Sequence, residues 1–230
     1  MVTLITGASS GIGEEFARRY AAKKHDLVLV ARRRDRLDSL AEELRDRDGV
    51  EVTVIPADLS EPDAAEHLWN ETSRMGLRVD VLVNNAGFGT GKDVVDDDPE
   101  RLEQEVRLNC LAVVGLTARY LPAMRERRGG TIINVSSAAA FQPMPHMAVY
   151  GATKAFVLSF TEALWRETRK DGIRVLAVCP GSTDTPFFEV SDEGTVVGRM
   201  RSTRQVLDTT MRALRTSRPS IVDGLGNAVV

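Results

Sequence analysis

Two hundred and thirty residues, 43% of them apolar, suffice for one well-covered α/β domain, and a net charge of −3 disfavours a surface built to seek nucleic acid. Two cysteines, Cys110 and Cys179, lie far apart inside apolar runs and read as buried free thiols of a reducing, cytoplasmic setting, with no disulfide framework and no metal site. "MVTLITG" carries no charged leader and no run of apolar residues is long enough to span a bilayer, so neither secretion nor a membrane span is expected.

Short β-branched runs alternate with longer amphipathic segments along the chain. "VTLIT" leads to a helix around Glu14 to Ala22, "LVLVA" to a helix from Asp35, and "VTVIPA" to a helix from Pro62. "VDVLVNN" follows, then a long helix through "EQEVRLNCLAVVGLTARYL", the strand "TIINVSS", the helix containing "VYGATKAFVLSF", the strand "IRVLAVCPG" and a final "SIVDG". Strands that are apolar on both faces and separated by helices predict an α/β fold: a single-domain, Rossmann-like, doubly wound parallel sheet with helices on both faces, over residues 1–230. From Pro186 to Arg204 periodicity fails, which predicts a loop covering the substrate over 186–204.

Between the first strand and helix, "TGASSGIG" places Gly7, Gly11 and Gly13, with Ser9, Ser10 and Ile12 among them. Glycines there let a pyrophosphate approach the helix amino terminus, whose unpaired N–H groups and dipole favour an anion. The spacing departs from G-x-G-x-x-G, and a tight βα turn without a ligand is the competing reading. The second strand ends in "LVLVARRRDRL": Ala31 stands where an acid would hold the ribose of NAD, and Arg32 and Arg33 follow. Guanidinium matches phosphate as a fork, so the pattern favours NADP(H) over NAD(H). A solvated helix start suits Arg34 and Arg36, and a nucleic-acid patch lacks interleaved aromatics.

Tyr150 and Lys154 share one face of a helix whose Phe156, Val157, Phe160, Ala163 and Leu164 would face a core. A phenol of pKa about 10 is poorly matched to proton transfer near neutrality. A nearby ammonium would lower that pKa, and Lys154 is placed to do so. Ser137 or its neighbour Ser136 ends a strand where such sheets present ligands, though both could be turn formers. Packing alone could equally explain the tyrosine. His25, His67 and His146 do not approach metal-ligand spacing, and His146 could line a pocket.

Six ordered motifs, "TGASSGIG", "NNAG" from Asn84, Asn109, Ser137, "YGATK" and "PGSTDT" from Pro180, make the chain resemble the short-chain dehydrogenase/reductase family over essentially its whole length. The resemblance implies an oxidoreductase transferring a hydride between NADP(H) and a carbonyl or secondary alcohol. It implies catalytic roles for Asn109, Ser137, Tyr150 and Lys154, with Tyr150 as general acid or base and Asn109 holding a water that links Lys154 to solvent. Lys154 would also hold the nicotinamide ribose, and Thr183 and Thr185 after Pro180 and Gly181 the carboxamide; Asn84, Asn85, Ala86 and Gly87 would be part structural, the asparagine amides cross-linking neighbouring loops, and part cofactor contact, Gly87 permitting approach of the adenosine half. Asp58, beside Leu59, would meet the adenine amino group, or instead cap the helix near Pro62. Phe88, the "AAAFQPMPHM" segment and Phe187, Phe188 and Val190 would wall an apolar pocket, pointing to a small-molecule substrate of low polarity. Helices around Asn109 and Tyr150 would pair with their copies in a homodimer or homotetramer. Members usually carry a further helix or loop beyond the point where this chain stops, at "IVDGLGNAVV". A protein that only senses NADP(H) is the competing function, disfavoured by the intact serine, tyrosine and lysine.

Overall fold

A computed structural model describes residues 1–187 and 200–224. Among these residues seven strands form one sheet: β1 (Val2–Thr6), β2 (Asp26–Ala31), β3 (Val52–Pro56), β4 (Val79–Asn84), β5 (Gly130–Val135), β6 (Ile173–Cys179) and β7 (Ser220–Val222). They pair in parallel throughout, in the order β3-β2-β1-β4-β5-β6-β7. Chain order reverses beside β1, so the carboxyl ends of β1 and β4 part and leave a crevice.

Alternation along each strand feeds two cores. Ile5, Leu27, Leu29, Val83, Ile133 and Leu176 join Phe16 of α1 (Gly11–Ala21), Leu37 of α2 (Arg34–Asp48) and, from the other end of the chain, Val206. Leu4, Val28, Leu82, Ile132 and Val175 point the other way, onto Leu68 of α3 (Ala64–Arg74), Leu116 of α5 (Ala112–Glu126) and Leu164 of α6 (Ala148–Thr168). Each such side chain, fully removed from water, contributes about 1.5–3 kcal/mol.

Three local features differ from the pattern read in the sequence. The long helix through Asn109 is not uniform: α4 (Pro99–Val106), capped by Asp98 accepting from the Glu100 N–H, runs into a π-helical turn at Arg107–Leu111 before α5. Within 186–204 the carboxyl end is helical after all. The helix α7 (Thr203–Ala213) starts on a capping box between Ser202 and Gln205 and buries Val206, Leu207, Thr210 and Ala213. The rest of that expected loop, with Phe188 and Val190, lies largely outside the described residues. On α6, Val157 and Leu164 are buried, whereas Phe156 and Ala163 are exposed on the side away from the sheet, Phe156 stacking on Phe160.

Candidate active site

At the end of β1, Thr6 Oγ1 accepts the Asn85 and Ala86 N–H groups at 2.9 and 3.0 Å, locking β1 to the turn after β4. Asn85 Nδ2 donates to Thr6 O at 2.9 Å, and Asn84 Nδ2 donates to Asn134 Oδ1 at 2.8 Å across to β5. The glycine turn fits between these ends only without side chains. Gly7 is left-handed (φ 66°) with Asn85 Nδ2 2.8 Å from where a Cβ would stand, and a Cβ on Gly13 would collide with the Gly7 carbonyl. Backbone of the turn is thereby exposed to a cleft of about 430 Å³. Of the expected site residues, Gly13 and Asn109 lie behind its wall; all the others line it: Gly7, Ser9, Ser10, Gly11, Ile12, Arg32, Arg33, Asp58, Leu59, Asn85, Ala86, Gly87, Ser137, Tyr150, Lys154, Pro180, Gly181, Thr183 and Thr185.

Arg33 folds over the glycine turn, its Nη2 donating to Ser9 Oγ at 2.9 Å and Ser10 Oγ at 2.8 Å. Burial and the nearby Arg36 and Arg32 charges pull its pKa down, so an arriving anion would relieve it. Arg32 is exposed, 3.6 Å from Asp58. Asp58 does not cap α3, which begins at Ala64 after Asp63. Its Oδ1 instead accepts the Ser60 N–H and hydroxyl. Burial opposes its ionisation, but those bonds and Arg32 outweigh it and hold the carboxyl below its ordinary pKa.

At the other end of the cleft, the Ser137 hydroxyl accepts the Ala139 N–H and acts on the Tyr150 phenol, drawing its pKa down. The adjacent Ser136 also borders the cleft, with its hydroxyl donating to Lys154 O at 2.7 Å. Lys154 is 5% exposed; its Nζ lies 5.6 Å from the Tyr150 ring centroid and donates to Val135 O at 3.1 Å. Asn109 accepts the Phe88 N–H and donates to Phe88 O and Thr153 Oγ1. A Cβ on Gly87 would stand 2.9 Å from Asn109 Oδ1 and 3.3 Å from Lys154 Nζ, so amide and ammonium border one small space.

The lowered tyrosine pKa expected from Lys154 is not what this arrangement produces. Burial dominates and pushes Tyr150 up to about 12, with Glu105 adding to the rise and Ser137 opposing it. Burial likewise takes Lys154 down to about 8. His146 does not line the cleft; it is exposed, with Nδ1 2.9 Å from Asp93 Oδ1. Glu105, absent from the sequence reading, is 0% exposed and accepts both the N–H and the hydroxyl of Thr90. A carboxylate one turn ahead of Asn109, on the helix carrying that residue inward, was the available signal. Among the described residues no group of three or more metal-ligating side chains assembles, and no helix is long and apolar enough to cross a membrane.

Known proteins resemble this chain in sequence and in fold. A reductase of sulfoacetaldehyde from Chromohalobacter salexigens is 37% identical over 195 residues, covering 84% of this chain and 77% of its own. The very-long-chain 3-oxoacyl-CoA reductase of Anas platyrhynchos is 35% identical over 195 residues, 82% of this chain but only 61% of its own length. In three dimensions, a short-chain dehydrogenase from Sphingobium yanoikuyae in complex with NADPH superposes with a TM-score of 0.92 at 36% identity, over 97% of this chain and 88% of that one. The model of the short chain dehydrogenase family matches residues 1–195. A parallel seven-stranded sheet, a glycine turn at its switch point and matches of this extent lead to one conclusion: the chain belongs to the short-chain dehydrogenase family of oxidoreductases.

Proposed function

We propose that the protein is an NADP(H)-dependent oxidoreductase acting on a carbonyl or secondary alcohol of a largely apolar small molecule, with Tyr150 as general acid in reduction and general base in oxidation. The carrying observation is that Ser137, Tyr150 and Lys154 border the same cleft as the glycine turn and Arg33. The cofactor fits the residues present: side-chain-free backbone at the turn for a pyrophosphate, Arg33 and Arg32 for a 2′-phosphate, Asp58 and Leu59 at the adenine end, Thr183 and Thr185 at the carboxamide end. Bound there, NADPH supplies the hydride. The chain's own part is to hold the carbonyl oxygen between the Ser137 and Tyr150 hydroxyls and to give it the phenolic proton as negative charge develops. Lys154 offsets the phenolate left behind and holds the ribose hydroxyls, and a water between Asn109 and Lys154 returns the proton from solvent.

Phe88, Met144, Met147 and Phe187 form the wall beside Tyr150, with no fixed charge among them, which supports an apolar substrate. Carbonyl reduction by both named relatives supports the reaction class. Val106, Leu111 and Phe156 are exposed on α4, the π turn and α6, which supports pairing of those elements in a homo-oligomer.

The test is fluorescence titration with NADPH and NADH, followed by oxidation against a panel of aldehydes, ketones and dicarbonyls, with Tyr150→Phe beside the native chain. NADPH binding retained in Tyr150→Phe, with turnover reduced at least about 10²-fold, is expected. Turnover surviving in the variant would refute the role of Tyr150. Binding without turnover across the panel would favour an NADP(H)-sensing protein.

A further inference from the structure

A buried ammonium needs an anion, and Lys154 makes its one described hydrogen bond to the neutral carbonyl of Val135. Three groups act on it by charge: Cys110, Glu105 and Cys179. Burial pushes the two thiols up to about 11 and about 12, so both remain neutral through the working range. Glu105 is left as the anion.

Its position is fixed by the loop between β4 and α4. Asn109 clamps that loop at Phe88, and Glu105, one turn earlier on the helix, clamps it at Thr90 through Oε2. Gly89 stands between, with Tyr150 Cδ2 2.9 Å from where its Cβ would be. The second oxygen, Oε1, is buried with no hydrogen-bond partner among the described residues. A carboxyl kept wholly out of water with one oxygen unpaired is costly, and holding Thr90 alone would be done as well by a glutamine.

We infer that Glu105 is the counter-charge of Lys154, a positioning residue whose carboxylate keeps the Lys154 ammonium protonated during turnover. The inference rests on the catalytic reading of Tyr150 and Lys154 above. The charged and titratable groups around Glu105 are Lys154 and Tyr150 on α6, Cys110 in the π turn and Asp97 ahead of α4. Burial, with Asp97 as a like charge, raises Glu105 to about 7, against the Thr90 bonds and Lys154. The sign follows. Below about 7 the carboxyl is neutral and lends Lys154 nothing; above it the carboxylate is formed, just where Lys154, brought down to about 8, begins to lose its proton.

Glu105→Gln keeps an acceptor for both Thr90 groups and removes only the charge. The readout is the alkaline limb of the pH profile for NADPH-dependent reduction, its position and not its height. It is expected to move to lower pH by about half a unit or more, because both Lys154 and Tyr150 then lose their protons more readily. Glu105→Met, apolar and of similar length, should give the same displacement and serves if the glutamine variant does not fold. A readout without substrate is [13Cε]lysine NMR of the full chain, which has five lysines; the resonance absent in Lys154→Met belongs to Lys154, and its midpoint should fall in Glu105→Gln. Limb and midpoint both unmoved in a folded variant would show that Glu105 only holds the loop, and would overturn the inference. Turnover surviving in Tyr150→Phe would overturn the catalytic reading itself, whereas loss of turnover there with an unmoved limb sinks this inference alone.

Discussion

Arg33 and Arg32 are neighbours with different environments. Arg33 lies across the glycine turn with two serine hydroxyls for partners, and Arg32 is exposed with Asp58 at 3.6 Å. Arg33→Asp should therefore weaken NADPH binding about 10- to 100-fold, the worth of a charge-assisted pair, and NADH binding much less. Arg32→Asp should show a smaller ratio; parallel titrations of both variants with both cofactors check this, and equal losses for the two cofactors would remove the 2′-phosphate from this strand end. Residue identities at the cleft were readable because glycine, arginine and the Tyr150–Lys154 spacing each carry chemistry in their type. Charge states were not readable. Whether Lys154 lowers the tyrosine or burial raises it depends on how much water reaches both, which follows from packing of Phe187 and Gly89 against the ring.

Among the elements, the strands were legible because residues buried on both faces leave an unbroken β-branched run, and the glycine turn marks where α1 begins. Helix α7 was hidden because it follows an aperiodic stretch and has only four buried positions, two of them Thr210 and Ala213. Its signal was the Ser202-x-x-Gln205 box. Ser202→Ala should cost about 1 kcal/mol and lower Tm by about 2–4 °C in a thermal melt, without altering cofactor affinity. The π turn at Arg107–Leu111 was invisible for another reason. Residues of a π turn and an α-helix have the same apolar spacing at this length, and what differs is the inward clamp of Asn109 on Phe88. Phe156 and Ala163 were misplaced because an apolar stripe on α6 wider than the sheet can cover looks, in sequence, like one core face.

For the molecule as a whole, the cleft joins groups from Gly7 to Phe187, from both sides of the switch point. A ligand held there bridges the two halves of the sheet, so its binding energy is added to the unfolding of the entire structure. At NADPH about a hundred times its Kd the native state should gain about 2.7 kcal/mol, raising Tm by several degrees, and NADH at the same concentration should raise it less. A scan with each cofactor tests it; no shift with either would mean that the cleft does not take a dinucleotide.

The central place of β1 also bears on how the chain reaches this state. Its first partner, β2, follows within 26 residues of the start, but its other edge waits for Val79–Asn84, and Gly11 meets Thr185 only after β6 is made. A chain emerging from the ribosome thus carries one unpaired edge of β1 until Val79–Asn84 has been made. Parallel pairings so distant in sequence are slow to form and exposed to misassociation in the interval. The glycine turn, first of the site's parts to be synthesised, gains its surroundings only as Asn85 and then Thr185 arrive.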